Sequence, residues 1–291
     1  KAYNRSIWQQ VAANADSYNN PGTFTAFIGY EWTPSTADAY NLHRVVVFKD
    51  KADKATQVVP FTHFDSRDTE ELWDYFDRYE QKTGGEVFSI PHNGNLSRGM
   101  MFSLVNYKGQ PLSKNYGTTR ARWEPLVEVT QIKGDSETHP VVSPTDEFAD
   151  YETWEDLAVG ALEISQAERD QRRKYEYVRP ALKLGLKQKN KLGINPFKFG
   201  MVGGTDSHTS FAAIAEDNFW GKFSVNEPNS RRSITKGHWG WSLNASGYTA
   251  VWAGKNTREA LFAAMKRKET YATTGPRMAV RFFGGWDYET N

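Results

Sequence analysis

Five side chains with metal-binding chemistry stand in short polar stretches, most of them soon after a run of apolar residues. They are Glu31, His92, His139, Asp206 and His208. Carboxylate and imidazole groups together bind zinc, manganese or iron. A divalent cation held by such a set lowers the pKa of a bound water and polarises an ester oxygen. The set therefore predicts hydrolysis by a metal-activated water, with Asp206 and His208 as the candidates for a catalytic role.

Each of these residues also has an ordinary structural interpretation. Asp206 and His208 project to one face of an extended segment, but an aspartate can also cap a helix while a histidine faces solvent. His92 could bond a backbone carbonyl in a turn, and His139 could be a surface residue of a charged loop. Glu31 ends an apolar run where an unpaired carboxylate is costly to bury, so it must face a cation or solvent.

Three basic residues are candidates for binding an anionic substrate: Arg98, Lys133 and Arg277. Arginine forks match phosphate oxygens, although most basic side chains are merely solvated. His43 is interpreted as pairing within its own strand. The sequence contains no glycine-rich phosphate loop, serine nucleophile motif or dinucleotide fingerprint, which fits a reaction that needs no protein nucleophile.

The spacing of apolar and polar residues predicts the elements that must position these side chains. Helices are predicted at 5–18, from a capping pattern at 68–71, within 153–190 and from a capping pattern at 256–259. Strands are predicted at 24–31, 43–48, 87–90, 126–130, 197–202 and 278–283. Segment 93–122 is predicted to be a loop. This alternation favours an α/β fold with a parallel sheet or barrel.

Length and composition narrow the class of protein further. The 291 residues suit a single α/β barrel domain over 1–291, and the ten tryptophans indicate a substantial core. A polar, aromatic stretch at about 212–248 is interpreted as a lid loop. The formal net charge of +1 gives no field to attract nucleic acid. No run approaches the roughly 18 apolar residues of a membrane span, and the absence of cysteine excludes thiolate ligands.

Four motifs, taken in order, resemble the polymerase and histidinol phosphatase (PHP) superfamily. They are Gly29-Tyr30-Glu31, Pro91-His92-Asn93, Val127-Glu128-Val129 followed by His139, and Gly203-Gly204-Thr205-Asp206-Ser207-His208. Longer stretches resemble one bacterial branch of it, catalogued as a domain of unknown function: Phe27–Thr33, Asn41–Arg44, Pro91–Asn95, Gln131–Pro140, Thr205–Thr209 and Tyr271–Arg277. The resemblance covers nearly the whole chain.

This resemblance implies a distorted (β/α)7 TIM-like barrel with two or three divalent ions (zinc, manganese or iron) that hydrolyses phosphoesters. Glu31 would bridge two metals, and His92 and His139 would complete one of them. Asp206 and His208 would serve the others. Glu128 matches a strand-end position without a defined ligand role.

One departure from the superfamily pattern is that its first motif, a His-x-His on the first barrel strand, is absent, as is a later histidine on the second strand. The chain resembles the C-terminal portion of a longer, exported precursor. We therefore expect a barrel lacking its first strands, a periplasmic or secreted location, a small anionic substrate, and the N-terminal portion of the precursor as a candidate partner. Two alternatives stay open: a non-catalytic fragment or binding module with an incomplete metal site, and a hydrolase of another ester such as a sulfate ester.

Overall fold

The chain folds as a mixed α/β protein, described by a computed structural model over residues 2–34, 41–154, 165–209, 221–222, 243, 247–287 and 289. The α-helices in these ranges are α1 (Ala2–Tyr18), α2 (Ala52–Ala55), α3 (Thr69–Thr83), α4 (Lys114–Trp123), α5 (Gln166–Arg173), α6 (Val178–Leu192) and α7 (Arg258–Lys266). The strands are β1 (Ile28–Trp32), β2 (Arg44–Phe48), β3 (Val87–Pro91), β4 (Leu126–Gln131), β5 (Gly134–Asp135), β6 (Gly200–Gly203), β7 (Tyr248–Val251) and β8 (Thr270–Thr273). None of the helices in these ranges combines the length and apolar character that crossing a bilayer requires.

The strands form three small sheets. The first has the order β1-β2-β3 and is antiparallel throughout. In the second, of order β5-β4-β6, β4 runs parallel to β6 and antiparallel to β5. The third is the antiparallel pair β7-β8. Within the residues that the structure describes, no sheet closes into a barrel.

The expected α/β class is confirmed, but the parallel pairing predicted for the strand ending near Glu31 is wrong. That strand is β1, and it pairs antiparallel with β2. Only residues 33–43 join the two strands, whereas a parallel crossover takes about a dozen residues or more. The short connection therefore folds β2 straight back along β1.

Most of the other predicted elements are confirmed. The strands predicted at 43–48, 87–90 and 126–130 match β2, β3 and β4, whereas the strand predicted at 197–202 begins only at Gly200. Residues 278–283 are not a strand, and segment 93–122, expected to be a loop, contains α4. Most of the presumed lid at 212–248, with its three tryptophans, lies outside the described residues, as do 155–164 of the charged helical region.

Helix α3 shows how local sequence fixes an element against the core. The Asp68 carboxylate accepts a hydrogen bond from the Glu70 amide at 2.9 Å, which satisfies a backbone donor at the helix start. Gly84 ends the helix at a φ of 61°, a left-handed conformation that glycine adopts without steric cost. The apolar face between them, including Leu72, Trp73 and Phe76, packs with β1, β2 and α1 in the largest buried cluster.

One edge of the first sheet gathers the polar ends of three strands. Since β1 and β3 both run antiparallel to β2, the ends of β1 and β3 meet the beginning of β2. Glu31 lies near the end of β1, His43 directly precedes β2, and His92 directly follows β3. The topology therefore brings one carboxylate and two imidazoles to the same edge.

Candidate metal centre

Glu31, His43 and His92 form a group whose donor atoms all lie within 4.8 Å of one another. Glu31 Oε1 lies 2.8 Å from His43 Nδ1 and 3.4 Å from His92 Nε2. The side chain of Glu31 is 32% exposed, that of His43 12% and that of His92 2%. The group is thus walled by protein on the histidine side and open to solvent at the carboxylate.

The chemistry of these donors fits a divalent cation. Two imidazole nitrogens facing one carboxylate oxygen need positive charge between them, supplied by protons or by a metal ion. Ligand bonds of about 2.0–2.1 Å in a tetrahedral zinc site place donor atoms roughly 3.3–3.4 Å apart, close to the separation of Glu31 and His92. The far nitrogens, His43 Nε2 and His92 Nδ1, are buried without a hydrogen-bond partner among the described residues, unlike most metal-bound histidines.

The electrostatics of the group follow from this convergence. Burial alone would raise the pKa of Glu31, but its hydrogen bonds with His43 and His92 hold that pKa well below the ordinary range. Burial alone would lower the pKa of His92, but its bond to Glu31 and the nearby carboxylates of Glu128 and Asp206 raise it. Burial lowers the pKa of His43. Of the two imidazoles, His92 therefore holds a proton more strongly than His43.

Two further carboxyl groups, Glu128 and Asp206, are near enough for their charges to act on His92. Burial raises the pKa of Glu128 to about 7, and the negative charge of Asp206 adds to this effect. A side chain at Gly204 would come within 2.8 Å of Glu128 Oε2, so the glycine leaves room for that carboxyl. Glu128 lies within β4 and Asp206 three residues beyond β6, which joins β4 in parallel.

Asp206 is held by two lysines. The Nζ atoms of Lys133 and Lys222 each lie 2.6 Å from Asp206 Oδ2. Burial would raise the pKa of Asp206, but the two ammonium groups lower it to about 2. Asp206 itself has a φ of 50°, a left-handed conformation that is uncommon outside glycine and occurs at functional sites. Both ion pairs involve Asp206 Oδ2.

A chain of amide hydrogen bonds runs from Asn93, beside His43, to the second sheet. Asn93 Nδ2 lies 3.4 Å from His43 Nδ1, the nitrogen that also faces Glu31. Asn93 Oδ1 accepts a hydrogen bond from Gln131 Nε2 at 2.8 Å, and Gln131 Oε1 in turn accepts from the Lys133 amide at 3.0 Å. These hydrogen bonds hold the backbone of Lys133 in place next to the group.

The other two histidines predicted as ligands lie outside this group. His139 is buried, its Nδ1 accepts a hydrogen bond from the Val141 amide at 3.1 Å, and its ring lies 5.5 Å from that of Tyr177. His208 is exposed, and its Nδ1 lies 2.9 Å from the backbone oxygen of Asp206. The structure thus brings together Glu31 and His92 from the predicted set, with Asp206 beside them.

The three residues predicted to bind substrate do not lie together. Lys133 contacts Asp206, whereas Arg277 is exposed and stacks over Tyr248, with 5.1 Å from its guanidinium carbon to the ring centroid. Arg98 is half-buried, with a φ of 52° and with its Nη2 lacking a hydrogen-bond partner among the described residues. Of the three, Lys133 is the one that the described contacts connect to the candidate centre.

Sequence reasoning missed His43 and Lys222. The signal for His43 was its position two residues before the apolar run Val45–Phe48, at the opposite end of a strand from the positions that singled out the other ligands. Lys222 carries no comparable signal, because its contact with Asp206 depends on a long-range fold of the chain.

Comparisons with known proteins give a family but no described relative. No curated protein and no solved structure matches the chain. One family, with the description "Protein of unknown function (DUF3604)", matches residues 1–291. Because this match spans the whole sequence, the chain belongs to the DUF3604 family.

Proposed function

We propose that this chain is a metal-dependent hydrolase of a phosphoester, with a divalent cation held by Glu31, His43 and His92. The observation that carries the proposal is the convergence of one carboxylate and two imidazoles within 4.8 Å at a partly open edge of the sheet. The charges of Glu128 and Asp206 act on His92, which makes these two carboxyl groups the candidate ligands for a further cation.

The surrounding residues suit hydrolysis by water. A bound divalent cation would supply Lewis acidity and a water of lowered pKa. In the reaction, the water oxygen bonds to phosphorus while the bond from phosphorus to the ester oxygen breaks, and the released alcohol takes up a proton. Glu31, His43 and His92 orient the centre, and Lys133 and Lys222 place positive charge where an anionic group would lie. The proposal needs no protein nucleophile.

Membership of the PHP superfamily and its barrel are part of the same proposal. In support, β3 lies beside β4, and β6 lies beside β8, so neighbouring strands continue from one sheet to the next. Polar side chains at the ends of β1, β3 and β6 face one region, as barrel enzymes arrange their chemistry. The periplasmic or secreted location and the N-terminal partner segment stay predictions.

Metal analysis tests the proposal directly. The protein, freed of metal by a chelator and dialysed against zinc or manganese, should bind at least one equivalent. It should hydrolyse an aryl phosphate, and renewed chelation should abolish that activity. A content well below one equivalent, together with hydrolysis that survives chelation, would remove the proposal. His63→Ala provides a matched control, because the ring of His63 contacts that of Phe64 and His63 is not part of the Glu31, His43 and His92 group.

A non-catalytic metal-binding module is the second candidate. It is favoured by the positions of His139 and His208, which leave the group with fewer ligands than a two- or three-metal site requires. Stoichiometric metal binding without turnover of phosphate or sulfate esters would support this candidate. Turnover of an aryl sulfate in preference to an aryl phosphate would instead indicate a sulfate esterase.

A further inference from the structure

The two lysines beside the candidate centre are built into the fold rather than solvated. The side chains of Lys133 and Lys222 are 16% and 4% exposed, and fully or nearly buried lysines are rare unless they bind a partner. Each ammonium lies 2.6 Å from Asp206 Oδ2. Two cationic groups therefore converge on a single oxygen atom.

Both lysines are held in place by backbone contacts. The Lys133 carbonyl accepts a hydrogen bond from Asn95 Nδ2 at 3.1 Å, and its amide donates to Gln131. The Lys222 carbonyl accepts from the His208 amide at 2.7 Å, and its ammonium also bonds the backbone oxygen of Asp206. Since the backbone of each lysine is fixed, little conformational freedom remains to be lost when a ligand binds.

The lysines lie near enough to the proposed metal ligands for their charges to interact with them. The charge of Lys133 acts on His43, and the charge of Lys222 interacts with Glu31. An ammonium has three N–H donors, and the ion pair with Asp206 Oδ2 occupies one of those of Lys133. Among the described residues the Lys133 ammonium pairs with Asp206, so N–H donors remain for a ligand, in a partly desolvated site where charge pairing is stronger than in water.

From this geometry we infer that Lys133 and Lys222, held against Asp206, form a seat for a doubly charged phosphoryl group and select phosphomonoesters over singly charged esters. The inference rests on the proposed function and names its substrate class. A phosphomonoester carries close to two negative charges near neutral pH, because its second pKa is about 6. A phosphodiester or a sulfate ester carries one charge, so its attraction to two ammonium groups is weaker.

Two ligands of matched shape test the seat by calorimetric titration. Phenylphosphonate is a dianion above its second pKa, and benzenesulfonate has the same aryl body with one charge. Protein loaded with Mn²⁺ should bind phenylphosphonate at least about tenfold more tightly. Lys133→Gln and Lys222→Gln should each weaken that affinity by about tenfold to a hundredfold, the range for a charged hydrogen bond, and benzenesulfonate affinity by less.

Two further variants and a turnover assay separate this role from a structural one. Lys133→Arg keeps the charge and should retain most of the preference. If one of the two glutamine variants fails to fold, the remaining glutamine variant is compared with Lys133→Arg. That comparison decides between a role in binding and a structural role. Lys187→Gln removes an exposed lysine of α6 and should change neither affinity. In folded Lys133→Gln, kcat/KM should fall more for p-nitrophenyl phosphate than for bis(p-nitrophenyl) phosphate.

The outcomes distinguish this inference from the proposed function. Equal losses for both ligands, or no loss, in folded variants with unchanged metal content would overturn the seat and leave the metal centre standing. A protein that binds no metal would overturn the proposed function. The titrations repeated on that metal-free protein would still test the seat. A preference for phenylphosphonate that depends on the lysines would support the seat, and the absence of this preference would reject it.

Discussion

Two buried charge clusters meet at the start of β2, and they differ in what they can bind. Arg44 points to Glu124, whose side chain is fully buried, with 3.0 Å between Arg44 Nε and Glu124 Oε1. Arg120 Nε lies 3.0 Å from the other carboxylate oxygen, Oε2, in an ion pair whose geometry is not that of a hydrogen bond. Trp73 Nε1 donates a hydrogen bond to Glu124 Oε1 at 3.3 Å. The preceding residue, His43, points instead to Glu31.

The difference lies in the partners of each carboxylate. Guanidinium and indole groups only donate hydrogen bonds, so the partners of Glu124 add no lone pairs for a cation, and two guanidinium groups already balance the charge of the Glu124 carboxylate. It is also sealed, because Arg120 stacks 4.9 Å from the centroid of Phe197 and donates to the Met101 carbonyl. Imidazoles can present lone pairs, and Glu31 is partly exposed. One cluster is a closed structural unit, and the other has the donors and the opening for a metal.

The largest expected effect is the loss of stability when Glu124 is neutralised. Glu124→Gln would leave two buried guanidinium groups without their counter-charge, and breaking a buried ion pair costs about 3–5 kcal/mol. The free energy of unfolding from urea titration measures this loss. Glu80→Gln is the control, because Glu80 pairs at 2.8 Å with the exposed Arg122 and such pairs contribute about 1 kcal/mol or less. Similar losses in the two variants would contradict a structural role for the Glu124 cluster.

Next in size is the effect of His43 on metal affinity. His43→Ala removes one donor of the group, and since substitution of outer partners already weakens metal binding by 10–100-fold, we expect a loss of more than about 100-fold. Competition titration with a chromogenic chelator measures the affinity for zinc. His63→Ala should leave it unchanged. If His43→Ala binds zinc as tightly as the wild type, the candidate centre is assigned to the wrong residues.

His43 also shows what sequence can and cannot predict. The apolar runs of β1, β3 and β4 are readable, and Glu31 and His92 can be selected because they end such runs. The partner of Glu31 is set by the antiparallel register, in which Trp32 faces Arg44 and so brings the residue before Arg44 to the edge. Register between distant strands depends on packing of the whole sheet, which a single sequence does not specify.

A smaller effect is the stabilisation of the folded protein by metal. A cation that binds only the folded state, present at about 100 times its Kd, adds roughly 2.7 kcal/mol, or roughly 5–10 °C in Tm for a chain of this size. The metal should raise the Tm of wild type and of Glu124→Gln equally in a thermal melt, because the Glu124 cluster offers no ligand. The Tm of Glu31→Gln should rise little. An equal gain in Glu31→Gln would show that the metal binds elsewhere.

Asp135 extends the comparison to a buried carboxyl that has neither arginine nor histidine as its hydrogen-bond partner within the described chain. Burial raises its pKa to about 7, although the amides of Glu137 and Thr138 donate to it at 2.8 and 3.1 Å and lower the pKa in part. In the unfolded chain an aspartate has a pKa of about 3.9. The folded state therefore holds the proton more tightly, which stabilises it below about pH 4. This contribution is lost as the pH rises toward 7.

Asp135→Asn should remove that dependence, because the amide stays neutral and can still accept a backbone hydrogen bond. The difference in unfolding free energy between variant and wild type should change by up to about 3 kcal/mol between about pH 4 and 7, in favour of the variant at the higher pH. Asp150→Asn, at an exposed position, should show no such change. Parallel pH profiles for Asp135→Asn and wild type would mean that Asp135 ionises normally despite its burial. The interior of this protein would then accept an ionised carboxylate that has neither an arginine nor a histidine partner. That result would weaken the contrast between the Glu124 and Glu31 clusters.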